Sequence, residues 1–296
     1  MSLTRCNLQS VLGSYVELTK PRIVALLDFT ALAAFLVATP QIDWVRLVLV
    51  IVAGTLASGG AGALNCYLDR NLDSSMRRTS ERPIPRGKIT PTRALIFGLA
   101  SVGSGVLISV FLLPVLAGVF ILLGAAIYVL FYTKWLKPRT TLNIVLGGSA
   151  GSCAPLAGWA AATGNVTVIA PWLMALLVFV WTPSHFWGLA IRAVGDYSRA
   201  GIPMLPAVVG EKRAAQCIAL NTFLLVPLSL VFVPLGLFGV AYLLVAVVFG
   251  IWLLITDLRL AFNPTKALAW TAFKVSSPYL AIIFLAMIVD SKIILR

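Results

Sequence analysis

Long apolar runs separated by short polar segments fill almost the whole chain. The runs are continuous and about 18–22 residues long, as expected for membrane-spanning helices, whereas membrane β-strands would be shorter and alternating. Because the connections are short, neighbouring helices should pack antiparallel in one bundle. Nine spans are predicted, over residues 23–39, 45–65, 94–113, 115–132, 141–162, 169–191, 214–234, 237–256 and 271–289.

Composition agrees with this pattern. Of the 296 residues, 60% are hydrophobic and only 11% are charged, which excludes both an ordinary soluble protein and a disordered chain. The four cysteines, Cys6, Cys66, Cys153 and Cys217, lack metal-binding spacing and are expected to be free thiols. The sequence therefore predicts an all-α membrane protein of about nine transmembrane helices.

Basic residues are distributed unequally between the two sides of the predicted bundle. With the N-terminus in the cytoplasm, 20 of the 23 lysines and arginines fall in cytoplasmic segments, and only Arg46, Lys292 and Arg296 fall outside. The positive-inside rule then predicts a cytoplasmic N-terminus and an external C-terminus. The N-terminal arm carries Glu17 and is not rich enough in arginine and serine for an organelle transit peptide, so a prokaryotic cytoplasmic membrane is expected. Topology and attraction to anionic lipid explain most of the net charge of +13, and no segment suggests nucleic-acid binding.

One segment is far more polar than the rest. Residues 65–93 hold ten of the 33 charged residues and directly follow the second apolar run. Asn65, Asp69 and Asp73 recur every four residues, so on a helix they form one stripe that rises about 6 Å per step. Two carboxylates on adjacent turns of a partly dry site favour a bound cation, and Mg²⁺ accepts such oxygens together with phosphate oxygens. The stripe therefore predicts a magnesium site.

Arginines follow this stripe. Arg77 would continue it by one more helical turn, and Arg78 and Arg82 lie in the proline-containing loop beyond. Arginine binds phosphate oxygens bidentately, so these residues predict diphosphate binding, although local pairing of acids and arginines at a solvated helix end is the plainer interpretation. Gly87 should permit a turn in this loop, and Thr90 should cap the next helix.

Other polar residues lie at the ends of predicted spans. Lys20 and Arg22 precede the first span and Lys134 ends the fourth, where each is either a topology anchor or part of a diphosphate-binding rim. Asp196 follows the sixth span, and the spacing Pro83–Arg93 recurs as Pro203–Arg213. This weak internal repeat suggests two half-sites that face each other across a central cavity.

These residues resemble a known family. The segments YVELTKPRIV, NCYLDRNLDSSMRRTSERPIPRGKI, YTKWLKPRTTLNIVLGGSAGSCAPLAGWAA and WTPSHFWGLAIRAVGDYSRAGIPMLP are similar to the UbiA-type intramembrane prenyltransferases, and within them to the branch that farnesylates haem. The resemblance is clear over roughly residues 15–215 and is mainly topological beyond them. It implies a single domain over residues 1–296, with nine helices around a lipid-accessible central cavity.

The resemblance also implies a reaction and its substrates. Farnesyl diphosphate would ionise with the help of Mg²⁺, and the 2-vinyl group of haem B (protohaem IX) would take the farnesyl group. Addition of water would then give haem O. Asp69, Asp73 and Asp196 would be the catalytic acids and would bind the metal with Asn65. A haem A synthase or a terminal oxidase would be the candidate recipient of the product.

The sixth span departs from the pattern of quinone-pathway relatives. Those enzymes carry a second D-x-x-x-D motif there, whereas Asp196 has Arg192 four residues before it and Ala200 four after. Arg192 is therefore expected to bind diphosphate or a haem propionate. His185, the only histidine, either packs as a hydrogen-bonded polar residue between helices or contacts the porphyrin, with iron ligation as one form of that contact.

Three other functions compete with haem farnesylation. A quinone-pathway aromatic prenyltransferase would require the missing second acid. A cation-coupled transporter would place its acids near the middle of the bilayer rather than beside an arginine-rich loop at its edge. A non-catalytic assembly protein for an oxidase would not require Asp69 and Asp73 to be intact.

Overall fold

The computed structural model describes residues 11–294, so Arg5, Cys6 and Arg296 lie outside the described residues. Within this range the chain is helical without β-strands, and nine helical segments are long and apolar enough to cross a membrane, which confirms the predicted fold class. The helices are α1 (Pro21–Ala38), α2 (Trp44–Leu68), α3 (Arg70–Ser75), α4 (Pro91–Leu112), α5 (Val115–Ala126), a π-helix (Ile127–Leu136), α6 (Asn143–Gly147), α7 (Ser149–Thr163), α8 (Ile169–Arg192), α9 (Val194–Arg199), α10 (Leu205–Val209), α11 (Glu211–Leu230), α12 (Val240–Phe262) and α13 (Lys266–Ile294).

The long helices follow one another around a closed ring. Each packs against the next in the order α1, α2, α4, α5, α7, α8, α11, α12, α13, and α13 returns to α1. The most extensive further contacts join α1 to α7 and α8 to α13, and smaller ones join α2 to α5 and α7. The short connections thus give the expected bundle of neighbouring helices.

Several helices extend beyond their predicted ends. The eighth span was predicted to end at residue 256, just before the charged residues Asp257 and Arg259. Helix α12 continues to Phe262, because these charged residues end the apolar run without ending the helix. The fourth span likewise continues from α5 through the π-helix to Leu136. Both extensions lie at helix ends that carry basic residues.

The loop before α4 forms as expected from its residues. Gly87 has a φ of +69°, which is the left-handed turn conformation that glycine permits. The Thr90 side chain accepts a hydrogen bond from the backbone N–H of Arg93 at 3.4 Å, and Pro91 is the first residue of α4. Cys66, Cys153 and Cys217 are free thiols, as expected.

Helix α7 lies unusually close to helix α1. A Cβ atom added to Gly158 would lie 2.0 Å from the backbone oxygen of Ala31, so only glycine permits this approach. A main-chain oxygen inside a helix cannot move aside as the tip of a side chain can. The position of α1 in the bundle therefore depends on Gly158.

We expect Gly158→Ala to lower the free energy of unfolding by about 1–3 kcal/mol, because the added methyl group overpacks the contact between α1 and α7. Gly103→Ala is the matched control, since a Cβ there meets nothing within 4 Å and alanine favours a helix. Denaturation of both purified variants in detergent measures the difference. Equal stability of the Gly158 variant and the wild type would contradict this account of the packing.

Candidate active site

The predicted stripe of polar residues forms at the junction of α2 and α3. The backbone N–H of Asp69 donates to the Asn65 carbonyl at 2.9 Å, and that of Asp73 donates to the Asp69 carbonyl at 2.7 Å, so the four-residue spacing continues through the junction. All three side chains are buried, and Asn65 Nδ2 donates to Asp69 Oδ2 at 2.9 Å. The sequence stripe is thus one buried row of oxygen donors.

The Asp69 carboxylate is neutralised by a lysine that the sequence analysis did not select. Lys137 directly follows the π-helix, and its Nζ lies 2.6 Å from Asp69 Oδ2. From the same π-helix, the Thr133 hydroxyl accepts a hydrogen bond from Asn65 Nδ2 at 2.9 Å. The wider turn of the π-helix places residues 133 and 137 toward the acids. Lys134 is exposed instead.

Lys20 contributes a second positive charge from the start of α1. It is the one non-glycine residue with positive φ in the described range, at 56°, a conformation that costs energy and recurs at functional sites. Its Nζ donates to Asn65 Oδ1 and, at 2.9 Å, to the Tyr128 hydroxyl. Burial lowers the pKa of Lys20, whereas interactions with Tyr128 and Cys66 raise it, and the net pKa lies above the ordinary lysine value. Lys20 therefore stays charged.

Asp73 forms a bidentate ion pair with Arg82. Arg82 donates through one nitrogen to both carboxylate oxygens, at 2.8 and 2.7 Å. Burial of the guanidinium lowers its pKa, whereas the Asp73 carboxylate raises it, and the net direction is upward. The backbone carbonyl of Asp73 also accepts the Thr79 hydroxyl at 3.1 Å, which holds the following loop against α3.

Asp196 links two polar clusters: the first contains Asn65, Asp69 and Asp73, and the second is the segment after α8 that contains Asp196 itself. This buried residue lies in α9, and its carboxylate accepts the backbone N–H of Arg78 at 3.2 Å. Arg199 forms an ion pair with the other carboxylate oxygen, and an Arg78 guanidinium nitrogen lies 3.4 Å from the Tyr197 hydroxyl. The loop after α3 thus brings the acids of the two predicted half-sites to one end of the bundle.

Other predicted site residues lie away from the buried acids. Helix α3 ends at Ser75, so the stripe does not continue to Arg77, and that part of the prediction is wrong. The Arg192 guanidinium lies 4.5 Å from the centre of the Trp270 ring and makes no ion pair with Asp196. Four of the predicted basic residues are exposed and donate no hydrogen bond to a carboxylate. They are Arg22, Arg77, Lys134 and Arg192.

His185 packs between α8 and α13. Its Nδ1 lies 2.7 Å from the Ser276 hydroxyl, and its ring stacks between those of Trp181 and Phe273, each with a centroid separation of 4.4 Å. The residue is only partly buried. It therefore makes the hydrogen bond of the structural interpretation while keeping an accessible edge, and no bond links it to the acids.

An apolar cavity lies among the helices that carry the polar cluster. Its lining residues Leu27, Ser58 and Ile121 are seven positions from Lys20, Asn65 and Tyr128 respectively, which corresponds to about 11 Å along a helix. It contains Asp28, a fourth acid that the sequence analysis did not select. Asp28 Oδ2 accepts a hydrogen bond from the Thr55 hydroxyl at 2.7 Å. Lining residues include Leu27, Asp28, Ala57, Ser58, Ile121 and Gly124.

The buried donor set suits a hard divalent cation. Carboxylates and an amide oxygen are the ligands that Mg²⁺ takes. Each of the three acids is held by a basic side chain, and within residues 11–294 no three His, Cys, Asp or Glu residues converge into a metal site. The residues present thus fit the ion by chemistry, provided that their basic partners release them: Lys137 from Asp69, Arg82 from Asp73, Arg199 from Asp196 and Lys20 from Asn65.

Comparison with known proteins assigns the family. Residues 26–288 match the model of the UbiA prenyltransferase family, and the chain belongs to that family. It is 45% identical over 282 residues to protoheme IX farnesyltransferase 1 of Cenarchaeum symbiosum (strain A), an alignment that covers 93% of this chain and 95% of the relative. It is 43% identical over 293 residues to protoheme IX farnesyltransferase of Sulfurisphaera tokodaii, with coverage of 97% and 96%. The chain is a prenyltransferase.

Solved structures agree with the fold. A digeranylgeranylglyceryl phosphate synthase aligns with a TM-score of 0.77 at 20% identity, over 96% of this chain and 99% of that one. A UbiA homologue from Archaeoglobus fulgidus bound to GPP and Mg²⁺ aligns with a TM-score of 0.66 at 18% identity, over 93% and 99%. These similarities define the arrangement of helices.

We expect Arg82→Ala to lower the free energy of unfolding by about 3 kcal/mol at most, because it leaves Asp73 buried without its partner. The value lies at the lower limit for a buried pair, since the Arg82 side chain is 22% exposed. Adding Asp73→Asn should recover part of the loss.

Arg86→Ala is the control for this experiment, because Arg86 pairs with Glu81 in an exposed position. Its effect should stay within about 0.5 kcal/mol. Chemical denaturation of the purified proteins measures both changes. Equal losses of stability in the Arg82 and Arg86 variants would show that the buried ion pair contributes no more to the free energy of unfolding than the exposed one.

Proposed function

We propose that this prenyltransferase transfers the farnesyl group of farnesyl diphosphate to the 2-vinyl group of haem B and thereby forms haem O. Identity of 45% and 43% to relatives named protoheme IX farnesyltransferase, over nearly the full length of both chains, supports this specificity. We take residues 1–296 as one functional domain. A haem A synthase or a terminal oxidase is the proposed recipient of haem O.

One structural observation carries the proposal. The helices that carry a buried cluster of acids and bases also line an apolar cavity, about two turns further along. This order of polar and apolar residues suits an amphipathic substrate with a diphosphate head and a hydrocarbon chain, although the cavity, at about 70 Å³, would have to widen to take a farnesyl group. A transporter site at a broken helix near the membrane midplane would not need this pairing of an anion-binding rim with an apolar cavity.

Each part of the cluster has a proposed task. Asp69, Asp73 and Asp196, with the amide oxygen of Asn65, would hold Mg²⁺, which supplies charge neutralisation for the departing diphosphate. Arg82 and Lys137, once released from the acids, would bind diphosphate oxygens. The basic groups are buried or partly buried, where fixed charges act more strongly than in water.

The remaining predicted basic residues belong to the outer rim in this proposal. Arg22, Arg77, Arg78 and Lys134 have exposed side chains and would attract the diphosphate before it reaches the buried acids. Their positive charges are screened by salt more than those of the buried bases. They therefore contribute to capture more than to chemistry.

The cavity would protect the reactive intermediate. When the allylic C–O bond breaks, its electron pair leaves with the diphosphate and a farnesyl cation remains. The vinyl π electrons form the new C–C bond, and water then adds to the resulting cation and loses a proton. Apolar lining residues exclude water until the vinyl group has attacked.

The second polar cluster distinguishes this function from quinone prenylation. Asp196 is the single acid of α9, and Arg192 lies against Trp270 where a second acid would be needed. Arg192 and His185 are therefore available to an acceptor that carries carboxylates and a metal. This composition disfavours a second carboxylate-bound metal of the quinone-pathway type.

Asp69→Asn should reduce haem O formation about a hundredfold or more, because it removes charge that would hold the metal and diphosphate. The purified protein would receive haem B, farnesyl diphosphate and Mg²⁺, and the products would be identified by mass. Chelation should stop the wild-type reaction, and added Mg²⁺ should restore it. Asp43→Asn is the control, because asparagine caps α2 as aspartate does, at the opposite helix end.

Two results would overturn the proposed function. One is a folded wild-type protein that forms no haem O under these conditions. The other is undiminished product from the Asp69 variant. An assembly protein without catalytic activity would give the first result, and a quinone prenyltransferase would instead prenylate an aromatic acid.

We further propose a prokaryotic cytoplasmic membrane, with the N-terminus inside and the C-terminus outside. Alkaline phosphatase fused after residue 296 should then be active, whereas a fluorescent protein that folds only in the cytoplasm should remain dark there. The same pair fused within the loop of residues 76–90 should give the reverse result. Identical activities at both fusion sites would contradict this topology.

A further inference from the structure

A continuous row of stacked rings joins α8 to α13. Trp181 stacks on His185 at 4.4 Å between centroids, His185 on Phe273 at 4.4 Å, and Phe273 on Trp270 at 5.2 Å. The angles between successive planes are 19°, 27° and 18°, so the four rings are nearly parallel. We call these four residues the aromatic row.

The aromatic row ends in two positive charges. The Arg192 guanidinium lies 4.5 Å from the centre of the Trp270 ring, and the Lys274 ammonium lies 5.9 Å from it. Both side chains are exposed, and neither forms an ion pair with an acid of residues 11–294. Two cations without a counter-ion beside an apolar surface are suited to a ligand that carries carboxylates.

Hydrogen bonds determine which nitrogen of His185 has a free lone pair. The Ser276 hydroxyl donates its single proton to the Phe273 carbonyl at 2.8 Å, so at 2.7 Å from His185 it must accept from Nδ1–H. The neutral ring then carries its lone pair on Nε2. A fixed tautomer with a free lone pair is typical of a metal-binding histidine.

Ser276 also orients the next ring. Its backbone carbonyl accepts the indole N–H of Trp181 at 2.8 Å, so one residue positions two members of the aromatic row. Packing alone would not require a histidine, because phenylalanine would fill the same stack without placing a polar ring at membrane depth. The histidine therefore adds to the stack a ring nitrogen that could ligate a metal, which phenylalanine would lack.

We infer that the aromatic row is the acceptor subsite and takes a flat, apolar metal macrocycle with carboxylates on one edge. His185 Nε2 would ligate the iron, Arg192 and Lys274 would bind the carboxylates, and the ring edges would support the macrocycle. Ser276 is a positioning residue that acts through His185. This inference rests on the proposed function, because haem B is the acceptor with this chemistry.

Haem titration of the purified full-length protein, without farnesyl diphosphate, tests the inference. The wild type should give a Soret band typical of histidine-ligated haem. His185→Phe keeps an aromatic ring in the row and should abolish that signature. Ser276→Ala should weaken ligation about 10–100-fold, the usual effect of losing a hydrogen bond that orients a metal ligand.

Charge recognition is measured with the double variant Arg192→Gln and Lys274→Gln. It should bind haem at least about tenfold more weakly, whereas the dimethyl ester of the macrocycle, which lacks carboxylates, should bind variant and wild type alike. Lys266→Gln is the control, since Lys266 is exposed at the start of the same helix. Iron-free protoporphyrin carries the carboxylates, so it should bind the double variant more weakly than the wild type. Because it lacks iron, its affinity should be unchanged by His185→Phe and Ser276→Ala.

The outcomes separate this inference from the proposed function. Haem binding with the stated dependence, in a protein that forms no haem O, would support the subsite and reject the reaction. Normal turnover by the wild type, with an unchanged Soret band in the His185 variant and unchanged affinity in the double variant, would overturn the subsite alone. Thermal melting of every variant confirms that altered spectra do not come from misfolding.

Discussion

Neutralisation of buried carboxylates is the constraint on which the polar end of this bundle depends. An unpaired acid at a protein interior beside the membrane is costly, so each of the three needs a nearby cation. Asp69 has Lys137, Asp73 has Arg82 and Asp196 has Arg199. Local backbone departures serve this pairing, because the π-helix presents Lys137 and the loop after α3 presents Arg82.

These ion pairs also suggest how a substrate could enter without leaving new charge uncompensated. A diphosphate bound to a divalent cation brings both a positive and a negative group. Each partner of an internal ion pair would therefore find a group of opposite charge on the substrate. In the proposed function, the cation would replace Lys137 and Arg82 at Asp69 and Asp73, and the released bases would then bind the phosphate oxygens. Binding would be an exchange of partners inside the cluster, which would limit the cost of desolvation.

The sequence was informative where a local rule determines the structure. Continuous apolar runs gave the nine spans, the four-residue spacing gave the stripe, and Thr90 gave the start of α4. Lys137 was not selected because its partner lies 68 residues away and its direction depends on a π-helix, whose period differs from that of an α-helix. Arg77 was misplaced because the chain leaves the helix after Ser75.

The two polar clusters are similar in plan and different in chemistry. A long helix is followed by a short helix with an acid in both, at α2–α3 and at α8–α9. The first presents Asn65, Asp69 and Asp73, whereas the second has one acid and directs Arg192 onto Trp270. A cation at that position would repel a second metal and attract carboxylates. In the proposed function, the single acid and the aromatic row therefore serve the same end, because they leave one half of the bundle to the acceptor while the other half binds diphosphate.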